Sequence, residues 1–220
     1  MSFDPVPAQR SSRPRPAAST GERLGAGAAA AAELMRSREL YPSRRLLPEQ
    51  RELREVVRAQ QYVGRLLEPL ERAGATTLHA RRAPGTAFEL DHVVVTTGAV
   101  LVLVDVVSTR RAPVVIDDFG SLARAGLPLA RRQDLLRAAA EDIASECGRH
   151  LPTAWTVLVV PVMAVVGSCG LRAPVVSRGL SVVQDDLLQQ WATETFPPTV
   201  DLVGAAQIAA AVEQTCPVTR

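Results

Sequence analysis

Apolar runs separated by turn-forming residues dominate the middle of the chain. Val93 to Val95 and Val100 to Val104 are continuous β-branched or aliphatic runs, the pattern of strands buried on both faces. Thr96, Thr97 and Gly98 between them supply a turn, so Glu89 to Arg110 reads as a β-hairpin. Upstream, Leu53, Val56, Val57, Val63, Leu66, Leu67 and Leu70 recur at helical spacing and predict a helix from Glu49 to Arg72, with Pro69 kinking or shortening its last turn and Gly74 stopping it. Three strands follow, Thr76 to Arg81, Leu90 to Val95 and Val100 to Val107. Residues 108–130 read as a loop with one short strand, Pro113 to Ile116, and an acidic pair, Asp117 and Asp118, at a turn. A second long helix is expected over Ala130 to Arg149, with Leu135, Leu136, Ala139, Ile143 and Cys147 facing the core. Thr153 to Val162 is a strongly apolar, central strand that ends, or meets an unpaired edge, at Pro161. Short strands at Pro174 to Ser177 and Leu180 to Val183 precede helices at Asp185 to Thr193 and Val203 to Gln214. Periodicity alone makes this an α/β or α+β chain.

The hairpin carries the chemistry. Folding at Thr97–Gly98 brings Asp91 and Asp105 to the same end, opposite or within about one residue of register. An unpaired carboxylate beside a buried strand is costly, so two together mark a polar or metal-facing edge. Glu89, two residues before Asp91, shares its face and offers a third carboxylate. His92 points the other way and reads as a buried, hydrogen-bonded structural histidine.

Composition narrows the alternatives. All 25 basic residues are arginine. Without lysine there is no Gly-rich phosphate loop ending in Lys-Ser/Thr, and no Gly-x-Ser-x-Gly elbow is present either. Residues 51–220 hold seventeen arginines against eighteen acids, a net −1, unlike the basic excess of a dedicated DNA binder. Residues 1–48 form a Pro/Arg/Ala-rich tail expected to be disordered, its arginines (Arg10, Arg13, Arg15, Arg44, Arg45) serving a linker or a nucleic-acid contact. Cys147, Cys169 and Cys216 make neither a disulfide framework nor a zinc pattern. The longest apolar run, Val157 to Gly167, is too short to span a bilayer and contains Pro161, so no membrane partner is expected. With no leader pattern, the bacterial cytoplasm is the expected location, and the lysine-free, Ala/Arg/Pro-rich composition suits a GC-rich bacterial genome.

LDHVVV, a short turn, then an apolar strand ending in Asp-x-x resembles the core of the nuclease-related domain (NERD), a family of the restriction-endonuclease-like PD-(D/E)xK superfamily. The likeness runs from about Glu49 to about Glu194, so residues 49–220 would be a NERD-like domain. It implies a restriction-endonuclease-like core, a mixed central sheet flanked by helices. It implies Asp91 and Asp105 as catalytic residues that, with Glu89, hold Mg²⁺ or Mn²⁺, the metal activating a water and neutralising charge on the phosphate. The family's strand lysine falls on Val107 and its helix glutamate near Gln60, so two of four catalytic positions are degenerate. Arg81, Arg82, Arg110 and Arg111 would be nucleic-acid contacts. The resemblance therefore implies an impaired nuclease-like domain that binds DNA or a protein partner. The alternatives are a weakly active Mg²⁺- or Mn²⁺-dependent DNA nuclease and a structural or interaction domain, so enzymatic activity itself is left open.

Overall fold

The computed structural model describes residues 48–109, 114–116, 121–124, 126–153, 155–167, 171–196 and 201–219. Helix α1 spans Pro48–Arg72 and buries Val57, Ala59, Val63 and Leu67. Pro69 lies inside it and does not cut it short. A proline this near the end forfeits little of the helical ladder, and the Ala73 N–H still closes on the Pro69 carbonyl at 3.1 Å. Gly74, at φ 102°, turns the chain out.

Three antiparallel strands follow: β1 (Thr76–Arg82), β2 (Glu89–Val95) and β3 (Val100–Ser108). Next comes a small separate sheet of β4 (Val114–Ile116), β5 (Leu122–Arg124) and β6 (Leu127–Pro128). Only β4 was expected. Strands of two or three residues carry too little periodicity to stand out from a loop. Helix α2 (Ala130–Arg149) then crosses over to β7 (Leu158–Val166), which pairs parallel to β3 along its length. Strands β8 (Val175–Ser177) and β9 (Leu180–Gln184), helix α3 (Asp185–Thr195) and helix α4 (Leu202–Thr215) complete the chain. The result is an α/β fold with a six-stranded mixed sheet, order β1-β2-β3-β7-β9-β8, and helices on both faces.

Strand β3 shows why the apolar runs are continuous. Leu101, Leu103 and Val107 enter the core under α2 and α4, while Val102, Val104 and Val106 enter the core under α1 and α3. Both faces are covered, so neither needs polar residues.

Two expectations shift. The central strand begins at Leu158 rather than Thr153 and continues through Pro161 to Val166. Pro161 sits opposite Leu103, one residue before β7 meets β9 at Val162, so on that flank its missing N–H has no partner strand to leave unsatisfied. On α2, Leu135 is 38% exposed, and Gln133 is buried instead. Gln133 accepts the Leu122 N–H at 3.1 Å and donates to Ser177 Oγ at 2.9 Å, tying the small sheet to β8.

The outer edge of β1 is covered by the chain's last described residues. Arg82 donates to the Pro217 carbonyl at 2.9 Å, Thr219 donates to that of Ala80 at 2.8 Å, and Arg81 bridges Val218. This blocks the edge against further pairing. Among the described residues no helix is long and apolar enough to cross a membrane. The tail arginines, Asp117, Asp118 and Cys169 lie outside the described residues.

Candidate functional site

The β2–β3 ladder pairs His92 with Val104, and one step further in the same register sets Asp91 opposite Asp105. The ladder stops there because Asp91 takes over its role: its Oδ2 accepts the Val106 N–H at 2.7 Å. On the other flank Asp91 faces Ala80, which has φ 49° between the His79–His92 and Arg81–Leu90 pairs. A left-handed alanine kinks β1 beside the carboxylate. Side-chain alternation slips at the same point, since Leu90 shares a core cluster with Val93 and Val95.

Asp91 is held by a second group. Gln60 of α1 donates its side-chain N–H to Asp91 Oδ1. Burial first, and the neighbouring Asp105 charge second, push the Asp91 carboxyl up to about 7, against the opposing pull of Arg132, the Val106 N–H and Gln60. It therefore takes up a proton far more readily than an ordinary carboxylate.

Asp105 is fully buried and answered by an arginine. Arg132, in the first turn of α2, grips it bidentately, Nε to Oδ2 at 2.6 Å and Nη2 to Oδ1 at 2.7 Å, and Nη2 also donates to the Val106 carbonyl at 3.2 Å. This is the fork geometry that makes arginine–carboxylate pairs strong. Asp105, above all, raises the Arg132 pKa further above its ordinary value.

Behind Asp91 lies a pair of histidines. His92 is fully buried, its Nε2 is 3.1 Å from the Gln60 carbonyl and its Nδ1 is 2.7 Å from His79 Nδ1. If His92 donates through Nε2, its Nδ1 accepts from His79 and both rings are neutral. Burial, and then the electrostatic cost of a second positive ring beside His79, push His92 down to about 3.

The sequence-derived residues divide clearly. Asp91, Asp105 and Gln60 come together. Val107 points into the core beneath α2 and α4, only 3% exposed. Glu89 does not join the carboxylates: it is exposed, paired in register with Arg82, and the slip at Asp91 breaks the shared face. Arg81 is buried in β1 against the C-terminal segment rather than set in a loop for phosphate contact, whereas Arg82 is exposed. Arg110 and Arg111 lie outside the described residues. Sequence reasoning missed His79 and Arg132. Arg132 gave no periodic signal, and the only clue was that a buried Asp105 in a lysine-free chain needs an arginine from somewhere.

A divalent cation is a poor fit to this arrangement. Mg²⁺ requires oxygens with free lone pairs and room for water. Both Asp105 oxygens are committed to a guanidinium, both Asp91 oxygens accept hydrogen bonds, and burial pushes the Asp91 carboxyl toward its neutral form. Among the described residues no group of three or more His, Cys, Asp or Glu is placed to hold a metal. Comparison with family models, with curated proteins and with solved structures found no match.

Proposed function

We propose that the chain is a nuclease-related, restriction-endonuclease-like domain whose hydrolytic centre has become an internal ion pair, and that it acts by binding nucleic acid rather than cleaving it. The observation that carries this reading is the bidentate Arg132–Asp105 pair, which puts a guanidinium where the resemblance expects a metal. Three further features support it. The order helix, three-strand meander, helix, parallel strand agrees with such a core. Gln60 meets Asp91 at the position expected of the helix glutamate. Val107 replaces the strand lysine with a group that can neither orient a water nor stabilise a phosphate.

The test is a cleavage assay on supercoiled and single-stranded DNA with Mg²⁺ or Mn²⁺, run beside an Asp91→Ala/Asp105→Ala control shown to be folded. The reading expects no cleavage above that control, and DNA binding that weakens steeply as salt rises. Metal-dependent cleavage present in the native protein and lost in the control would overturn the retired centre. Absence of salt-dependent binding to any DNA would overturn the binding role.

A further inference from the structure

A second site lies apart from the carboxylate pair. A cleft of about 560 Å³ opens at the carboxyl ends of the parallel strands β3 and β7, between α1 and the start of α3. Crevices at the carboxyl ends of parallel strands are the usual ligand positions of open α/β sheets, and this volume suits a small organic ligand. Arg58, Tyr62 and Arg65 of α1 line one wall, spaced i, i+4, i+7 and so on one helix face. Ser108, at the end of β3, lines the floor.

The cleft carries both arginines and acids, and among the described residues they are not paired with one another. Neither Arg58 nor Arg65 has a carboxylate partner among the described residues. Arg65 instead lies over the Tyr62 ring, 5.8 Å from its centroid, which folds it back along the helix toward Arg58. The two positions are about 10.5 Å apart along the axis, a gap two arginine side chains can close on one anion. Ser108 is 8% exposed, and its hydroxyl has no hydrogen-bond partner among the described residues. A hydroxyl that lines a cleft can donate to a ligand or a water. Two acids share the lining: Asp185, whose carboxyl burial pushes above the usual carboxylate range, and Glu55, which has an interaction of its own.

We propose that this cleft binds a phosphate monoester of mononucleotide size. Arg58 and Arg65 hold the phosphate, Ser108 donates a hydrogen bond inside the cleft, and Tyr62 forms an apolar wall beside the ligand's ring. Paired guanidinium donors fit the oxygens of a terminal phosphate. The site uses neither Asp91 nor Asp105 and stands whether or not the chain descends from a nuclease.

Calorimetric titration of the full chain at low salt tests this with adenosine 5′-monophosphate, ribose 5-phosphate, adenosine and inorganic phosphate. The expected result is binding of the nucleotide, weaker binding of ribose 5-phosphate, and none of adenosine. Arg58→Gln/Arg65→Gln should weaken nucleotide binding by about tenfold or more, and Ser108→Ala by a smaller factor, both with an unchanged melting temperature. Both arginines are exposed, so the double variant is expected to fold. Three results would each overturn the proposal: no phosphate ester binding to the folded protein at millimolar concentration, undiminished binding in the double arginine variant, or inorganic phosphate or adenosine binding as tightly as the nucleotide.

Discussion

Replacing Arg132 by methionine should unfold this protein more readily than any loss of surface charge would. The substitution keeps most of the side-chain length on α2 but strips Asp105 of both guanidinium bonds and leaves a fully buried carboxylate beside a second one. Removing one partner of a buried pair costs about 3–5 kcal/mol. The Arg132 side chain is 42% exposed, so water can reach part of the site, and the lower figure of about 2–3 kcal/mol is expected here. In urea unfolding, with a slope of about 2 kcal/mol per molar, the midpoint should fall by about 1–1.5 M. The decisive control is Asp105→Val/Arg132→Met, which removes both charges and sets a β-branched residue among the valines of β3. If the cost of the single variant is the orphaned carboxylate, the double variant should return to within about 1 kcal/mol of the native protein or exceed it. A single variant within about 0.5 kcal/mol of native, or a double variant no better than the single, would refute the assignment of Arg132 as the cation that keeps Asp105 buried.

The remaining predictions follow the same site outward. Because burial raises Asp91 from 3.8 to about 7, the folded state binds its proton more tightly than the unfolded chain does, so this residue's stabilising contribution is full below about pH 4 and is lost as pH rises to about 7. Asp91→Asn should therefore be more stable than the native protein above pH 7, by about 4 kcal/mol at the very most, with the unpartnered Gln60 Oε1 turning to accept the new amide; unchanged stability across pH 4 to 8 would refute the shift. His92 has the opposite sign: lowered from 6.5 to about 3, it contributes stability above about pH 6.5 that is lost as pH falls toward 3. His92→Leu should remove that acid sensitivity in pH-dependent melting while costing about 1–3 kcal/mol at neutral pH, since it strips a buried partner from His79. Cys147 and Cys216 are buried thiols, the latter pushed up to about 12, so both should resist a thiol reagent in the native protein and react on unfolding.

Much of this architecture is written locally. The meander, α1 and α2 follow from apolar spacing and turn residues, and strand β3 announces its burial on both faces by an unbroken run of Val and Leu. The hairpin turn set the register, and the register alone set Asp91 against Asp105. What stayed hidden depends on contacts distant in sequence. Arg132 meets Asp105 across 27 residues, His79 meets His92 across 13, and neither pairing leaves a periodic trace. Glu89 failed for a related reason: its face was inferred from strict alternation, and the kink at Ala80 breaks that alternation beside Asp91. The start of β7 was misjudged because Trp155 and the β-branched Thr156 and Val157 extend the strand-like run upstream, and only pairing with β3 at Leu158 marks where the strand begins.

Under the nuclease-related reading proposed above, charge balance accounts for why the departures from the implied pattern come as a set. A complete centre of the kind the resemblance implies would hold three carboxylates, a lysine and a divalent cation, which sum to zero. The present site approaches zero another way, with two carboxylates, one guanidinium and an Asp91 carboxyl raised toward its protonated form. Relative to that implied pattern three positive charges are missing, and Gln60, Arg132 and protonation of Asp91 each offset one of them. The argument predicts that Gln60→Glu alone is harmful, because a third carboxylate in contact with Asp91 has no cation to answer it. The loss should be on the order of 2–3 kcal/mol at pH 8 and shrink toward pH 5 as the shared site takes up protons. Arg132→Met should deepen it, whereas added Mn²⁺ should relieve it in a Gln60→Glu/Arg132→Met variant and leave the native protein unmoved. Equal stability of Gln60→Glu and the native protein at pH 8 would mean that charge balance does not govern this site, and that the guanidinium and the amide sit beside the carboxylates for reasons of packing alone.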